Sequence, residues 1–427
     1  MNEFNRSRMN EFRQLKKEIR GSEKHLIIGI DIAKEKHVAF FGTATGKTLL
    51  KRLIFENHIE GFELFLAHAE AIRVRSGLQK VVFGLEPTAD YHKPLGEFLV
   101  KDGHTLVLAS NGAVKQNRQL LDGRWDKHDG KDACNVADLI SQGKFLFYDY
   151  PSPEVREIRG LLSLKRKLKK QEHSIRMRIR NHLVAQYFPE LDRLLAQREV
   201  ENLAIVKWCL NPVAIARMEF NKFYQLVTTR DRGASQRNRL RVIWQTASNS
   251  IACEADEAAA FEAKLLVEQL QQVREYISKT DAKIKKICGR FPEYKHLLSI
   301  PGFGPVISAM TIGALGDPHR FSNATQILKL VGLDLSASRS GKNSNTVTPV
   351  ISKKGKSELR YAMYQAALIA TYRNKEFIEY FTRVISGRER EKGIKTKMRV
   401  KIAAKMVVIA WTLMKKKEDF DPRYLNK

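Results

Sequence analysis

The sequence predicts an α/β domain followed by a mainly helical region. Three observations carry that expectation. Short apolar runs alternate with amphipathic stretches across residues 25–150, the rhythm of a sheet flanked by helices. Beyond residue 150 the strand signals fade, and long heptad and amphipathic patterns replace them. Four carboxylates also fall where such a sheet would gather them: Asp31 and Glu86 close two apolar runs, and Asp129 and Asp132 open a helical stretch.

The elements follow in order. Residues 1–24 repeat MNEF at Met1 and Met9 and read as a short N-terminal arm. LIIGID and HVAFFG, with a turn at Gly42–Gly46, form a hairpin, and TLLKRLIFEN supplies the next strand. IEGFELFLAHAEAIRVR spaces Phe62, Phe65, Ala69 and Ile72 as one helix face. KVVFGLE is a short buried strand, HKPLGEFLVKDG a helix ending at Gly103, and HTLVLAS another strand. Residues 151–290 form a helical middle region. Leu161, Leu164, Leu168, Ile175 and Ile179 mark one stripe, and Leu266, Leu270, Val273, Ile277, Thr280, Ile284 and Ile287 mark a heptad seam. The seam predicts a coiled coil or antiparallel helix pair, either inside one subunit or as a dimer contact. An insertion at about 189–250 has no assignable pattern. Residues 291–427 carry an IPGFG turn between two helical segments, a polar loop rich in Ser, Gly and Asn, and a last amphipathic helix basic at both ends.

Composition narrows the partner. Lys and Arg number 75 against 47 Asp and Glu, a formal net charge of +28, which points to a polyanion such as nucleic acid. Ten cations lie between Arg156 and Arg180. Candidate contacts there are Lys165, Arg166, Lys169, Arg176 and Arg180. Others are Lys34 after the first strand, Gly302 and Gly304 of the IPGFG turn, and Lys353, Lys354 and Lys356 before the next helix. The two glycines would let backbone N–H groups approach a phosphate, or simply make a tight turn. Four scattered cysteines without a CxxC pair fit a reducing compartment. No apolar run approaches the roughly 20 residues of a membrane span.

The acids suggest chemistry. Two metal ions about 4 Å apart need several carboxylates from different elements, and two strand ends plus a helical pair at i, i+3 could supply them. Bland readings stand beside this one. Asp31 could end a strand, Glu86 could be a surface acid, and Asp129 and Asp132 could serve a helix N-terminus, with Asp126 and Asp138 as rivals. Together the acids and the charge predict metal-dependent phosphoryl transfer on nucleic acid.

Four motifs in order resemble the DEDD-type insertion-sequence transposases, a family of bridge-RNA-guided serine recombinases. They are GIDIAKEKH with Asp31 and Lys34; Glu86, Thr88 and Tyr91, with Ala89 where the family usually has Gly; Lys127, Asp129, Asp132 and Ala133, with His128 where it has Thr; and Ser340, Gly341 and Ile351, Ser352, Lys353, Gly355. The resemblance covers nearly the whole chain outside the arm and the insertion. It implies a RuvC-like, RNase-H-type N-terminal domain, a coiled-coil middle and a C-terminal transposase domain. It implies Mg²⁺, two per site, on Asp31, Glu86, Asp129 and Asp132, and Ser340 as nucleophile, with Ser336, Ser338 and Ser344 as rivals. It also implies double-stranded donor and target DNA, a noncoding guide RNA, dimers assembling to a tetramer, and a bacterial cytoplasmic, nucleoid-associated setting. The alternative is a metal-dependent nuclease or Holliday-junction resolvase that uses water.

Overall fold

A computed structural model describes residues 3–121, 129–195, 199–208, 211–336 and 350–425. The chain divides into two compact units, Met1–Ser152 and Pro153–Lys427. The first is mixed α/β and the second is almost wholly helical.

Unit 1 is built on six strands, β1 (His25–Asp31), β2 (Lys36–Thr43), β3 (Thr48–Glu56), β4 (Lys80–Leu85), β5 (Thr105–Leu108) and β6 (Leu146–Phe147), in the order β3-β2-β1-β4-β5-β6. β1 runs antiparallel to β2 and parallel to β4, and β4 is parallel to β5. The helices are α1 (Glu3–Glu18), α2 (Ile59–Arg75), α3 (His92–Lys101), α4 (Asn111–Leu121) and α5 (Asp129–Ser141). β1 is a near-continuous apolar run because both of its faces are covered. Leu26, Ile28 and Ile30 pack with Phe62 and Phe65 of α2 and Leu95 and Leu99 of α3. Ile27 faces the other way, with Leu15 of α1, Val114 of α4 and Val136, Ala137 and Ile140 of α5. The outer strand β3 is largely exposed and carries Lys51 and Arg52, charges that discourage pairing with another chain.

The expected arm, residues 1–24, contains α1. Its Leu15 and Ile19 are buried, Phe12 packs edge-on against Phe145 and Phe147, and Lys16 donates to the Phe145 carbonyl at 2.6 Å.

Unit 2 rests on two long helices, α6 (Pro153–Arg178) and α13 (Glu257–Cys288). They run antiparallel: Lys165 pairs with Asp281, Glu172 with Arg274 and Arg178 with Glu262, so numbers rise on one helix as they fall on the other. The heptad seam is therefore occupied inside the subunit. Leu266, Leu270, Val273 and Ile277 pack with Leu168 and Ile175, while Ile284 and Ile287 join Ile158 in the C-terminal core. Of the two readings of this seam, the structure gives the helix pair inside the subunit, with the seam residues buried there. The insertion at 189–250 covers one end of the pair. After a π-helical turn, Ile179–Val184, come α7 (Ala185–Tyr187), α8 (Leu191–Leu195), α9 (Glu199–Trp208), α10 (Pro212–Ala216), α11 (Phe220–Val227) and α12 (Ala234–Ala247). Leu203, Ile215, Phe223 and Leu240 bury against the pair.

The other end is embedded among α14 (Pro292–Leu298), α15 (Pro305–Leu315), α16 (Ala324–Val331), α17 (Ser357–Arg373), α18 (Lys375–Ile385) and α19 (Ile394–Lys416), with a small hairpin of β7 (Leu335–Ser336) and β8 (Val350–Ile351). No helix among the described residues is long and apolar enough to cross a membrane.

Candidate active site

Strand parity decides which side chains share a face of the sheet. Gly29 and Asp31 share the parity of Ile27, on the α5 side of β1. Gly84 and Glu86 share the parity of Val82 on β4. Gly29 pairs with Gly84, and Ile30 with Leu85, so the chain reaches Asp31 and Glu86 side by side on parallel strands.

The two glycines are where α5 rests on the sheet. A Cβ at residue 29 would lie 2.0 Å from the Ala133 carbonyl oxygen and 2.6 Å from the Ala137 nitrogen. A Cβ at residue 84 would lie 1.9 Å from Ile140 Cδ1. Only glycine permits this approach of helix backbone to strand. Asp132 immediately precedes Ala133, the residue of α5 whose backbone meets Gly29.

Asp132 is buried. Arg118 of α4 places Nη2 2.7 Å from its Oδ1. The approach is off the donor axis, so Oδ1 is close enough for a Coulombic pair yet has no hydrogen-bond donor. Oδ1 thus faces the Arg118 cation, and a divalent metal at Asp132 would have to share this carboxylate with the guanidinium. Asp31 and Glu86 are half-buried, and both have interaction partners. Among the described residues no three His, Cys, Asp or Glu side chains gather as a metal-holding group. The Asp129 side chain lies outside the described residues, as do Asp126, Lys127 and His128.

The rival Asp138 has another task. Its Oδ2 accepts from Asn117 at 2.6 Å and from Gln142 at 2.7 Å, while Asn117 also donates to Asn135, and Asn135 to the Val114 carbonyl. This network ties α4 to α5 and so fixes Arg118 relative to Asp132. Burial and nearby Asp138 push the Cys134 thiol up, which keeps it protonated and poorly nucleophilic. Sequence reasoning missed Arg118 and the glycine floor. The signal was present, since GID and GLE both place glycine two residues before the acid.

Ala89, where the resemblance expects glycine, has φ +44°, in the left-handed region that disfavours a side chain. Tyr91 after it is exposed, and burial pushes the neighbouring His92 imidazole below its usual value, so it stays neutral.

Ser340, Gly341 and the rivals Ser338 and Ser344 lie outside the described residues, and Ser336 is exposed on β7. The roots of that segment are described. Ser336 pairs with Val350 and Leu335 with Ile351; Ser352 donates its hydroxyl to Asp334 at 2.5 Å; Lys353 N–H donates to the Gly332 carbonyl at 3.1 Å. Gly355 fits against α16, where a Cβ would meet Gly332 N and Leu330 O, both at 2.6 Å. The ISK-x-G block is a clasp on the end of α16.

The candidate cations are largely engaged. Lys165 meets Asp281 at 2.5 Å, Lys169 meets Glu172 at 2.9 Å, Arg180 grips Asp192 through two bonds, and Arg166 pairs with Glu358. Arg176 is exposed and also has a partner. Lys34, Lys353 and Lys354 are exposed, and Lys356 Nζ donates to the Ala314 carbonyl at 3.2 Å. Gly302 has φ +85°, and a Cβ there would lie 2.3 Å from Ala366 O of α17, so helix packing alone requires glycine. Gly304 faces open space at the start of α15.

Comparison with known proteins matches two parts of the chain. Residues 28–189 match the model of a transposase domain of the DEDD, IS110 type, and residues 294–382 match that of the transposase IS116/IS110/IS902 family. Across 399 residues the chain is 22% identical to the uncharacterized 44.8 kDa protein of insertion element IS116 from Streptomyces clavuligerus, covering 92% of this chain and 96% of that one. Both matched domains are those of a transposase, an enzyme that cleaves and joins DNA. The chain is a DEDD-type insertion-sequence transposase of the IS110 family. Domains of the DEDD type typically use divalent metal ions.

Proposed function

We propose that this transposase exchanges DNA strands through a serine–DNA ester under the guidance of a noncoding RNA. Asp31, Glu86, Asp129 and Asp132 form its divalent-metal site, with Mg²⁺ as the expected ion, and Ser340 is its nucleophile. One observation carries the reading. α5 rests on Gly29 and Gly84, two residues before Asp31 and Glu86, and Asp132 adjoins the helix residue that meets Gly29. The strand order β3-β2-β1-β4-β5, with β2 alone running opposite to the other four, supports an RNase-H-type, RuvC-like domain.

Bound ions would lower the proton affinity of an attacking hydroxyl and neutralise charge on the phosphate and leaving oxygen. The chain's own groups do the rest. The Arg118 guanidinium pairs with the Asp132 carboxylate, and the α4–α5 polar network holds both in place. Ser340 Oγ attacks phosphorus, an ester forms, and one DNA end leaves with a free hydroxyl. A hydroxyl from the partner strand then attacks the ester, joins the new strands and restores the serine. The clasp at Ser352 and Gly355 supports a fixed root from which the serine segment is presented. The charge of +28 supports an RNA partner as well as DNA, since cations that read the backbone leave sequence choice to base pairing. Four strand ends call for a dimer that assembles to a tetramer, with contacts other than the occupied heptad seam. A bacterial cytoplasm near the nucleoid is the matching setting.

The test is a denaturing gel with labelled DNA. Wild-type protein should give a covalent adduct, and Ser340→Ala should give none. Asp31→Asn, Glu86→Gln, Asp129→Asn and Asp132→Asn should bind DNA without cutting it. An adduct that persists in Ser340→Ala removes the serine assignment. Cleavage without any adduct favours the second reading, a RuvC-like nuclease that uses water, which the DEDD domain also fits.

A further inference from the structure

Two adjoining pockets in unit 2 flank the start of α17, and both are lined by Ser357 and Tyr361. We propose that together they seat one unpaired nucleotide of a nucleic-acid strand, its phosphate beside Lys356 and Arg166 and its base against Tyr361. The inference rests on nucleic acid as substrate, and not on which group is the nucleophile.

The larger pocket, about 850 Å³, is bordered by five cations, Arg159, Lys165, Arg166, Lys169 and Lys356, and by one acid, Glu358. The 17-residue helix α17 begins there with Lys356 at its cap and no side chain bonded to its first amide groups. Uncapped N–H groups and the positive end of the helix dipole favour an anion at that point. The Glu358 carboxylate already holds Arg166 there. That ion pair is solvent-exposed and contributes little, so a phosphate can take its place.

The smaller pocket, about 300 Å³, is lined mainly by apolar groups, Leu333, Ile351, Val400 and Ala403, together with Tyr364 and the cation Arg360. Tyr361 stands at the border of the two pockets with 66% of its surface exposed. An aromatic ring open to solvent between a cationic groove and an apolar recess offers one face for a base and the other side for its phosphate. A paired base cannot reach such a recess while it stays stacked in a duplex, so the occupant is an unpaired one. Ile351 belongs to β8 and Leu333 leads into β7. The seated nucleotide would therefore sit at the root of the segment that carries Ser340.

The test uses full-length protein and fluorescence anisotropy with three labelled probes: a short oligo(dT), an oligo(U) of equal length, and a DNA duplex. Tyr361→Ala should weaken binding of a single strand on the order of tenfold and change duplex binding less than about twofold. Tyr361→Phe should bind like the wild type, because stacking needs the ring and not the hydroxyl. Whichever single strand shows the dependence, DNA or RNA, is the source of the nucleotide. Equal losses for single strand and duplex, no loss at all, or a loss in Tyr361→Phe as large as in Tyr361→Ala would overturn the proposal. So would a change in sedimentation with unchanged nucleic-acid binding, which would make Tyr361 a protein contact. The readout is binding, so loss of the serine assignment in the adduct assay would leave this result untouched.

Discussion

Substituting Gly29 should do far more damage than substituting Gly84, although the two are register partners on neighbouring strands. In Gly29→Ala the new methyl carbon would sit 2.0 Å from a helix carbonyl oxygen and 2.6 Å from a helix nitrogen. Ordinary contact begins at 3.4 Å, so α5 must retreat by about 1.4 Å at Ala133. Backbone cannot rotate out of the way. The cost should reach the upper end of overpacking penalties, about 3 kcal/mol. For a unit of 152 residues that corresponds to about 6–12 °C in Tm. The retreat also moves Asp132, which precedes Ala133, and a shift of about 1 Å in a catalytic group can cost on the order of 100-fold in rate. In Gly84→Ala the clash is with Ile140 Cδ1 at 1.9 Å, the far end of a side chain, and the next atoms are 3.1 and 3.5 Å away. A strained or altered rotamer there should cost about 0.5–1.5 kcal/mol. The assay is thermal melting of the full chain, with hydrogen exchange at β1 and α5 assigning the transition to unit 1, followed by strand cleavage. If both variants melt together, or if Gly29→Ala keeps wild-type cleavage, the close packing of α5 on β1 is not what positions the acids.

Four further outcomes follow from the same contacts. Ala89→Gly should stabilise unit 1 by roughly 0.5–1 kcal/mol, because relief at φ +44° exceeds the added freedom of the unfolded chain; a lower Tm would contradict it. Arg118→Gln should destabilise the metal-free protein by leaving the buried Asp132 charge unpaired, and millimolar Mg²⁺ should restore more Tm than it adds to wild type; no difference in metal response would count against Asp132 as a ligand. Burial holds the His25 and His37 imidazoles below the usual histidine value, so the unfolded chain binds more protons in mild acid. Stability should be full above about pH 6.5 and fall as pH drops below it, so the urea midpoint should be lower at pH 5.5 than at pH 7.5; an unchanged midpoint would show that folding leaves the proton affinity of these histidines unaltered. Leu270→Asp should unfold the helical unit and not convert a folded dimer to a folded monomer, because that leucine is fully buried inside one subunit; circular dichroism with light scattering separates the two.

The sequence by itself determined the alternation of strand and helix in residues 25–150 and the heptad along α13. Periodicity is a local property, and burial of one face leaves it written in the order of residues. It also displayed the acids, since Asp31 and Glu86 end apolar runs that could only be strands. What it could not decide was which partner covers each face. The seam from Leu266 to Ile287 looks the same whether α6 or a second subunit lies on it, and only the tertiary structure, with Lys165, Glu172 and Arg178 paired across to α13, put α6 there. The same holds for the cations of α6, which read as a free basic face until acids of α13, of α17 and of α6 itself were found beside them. Gly29 and Gly84 were visible in the sequence as two residues of the most permissive type. Their role depends on an atom more than a hundred residues away from Gly29, the Ala133 carbonyl, that no local pattern encodes. Strand register and the descent of α5 onto the sheet are long-range choices, and they decide which backbone atoms Gly29 and Gly84 meet.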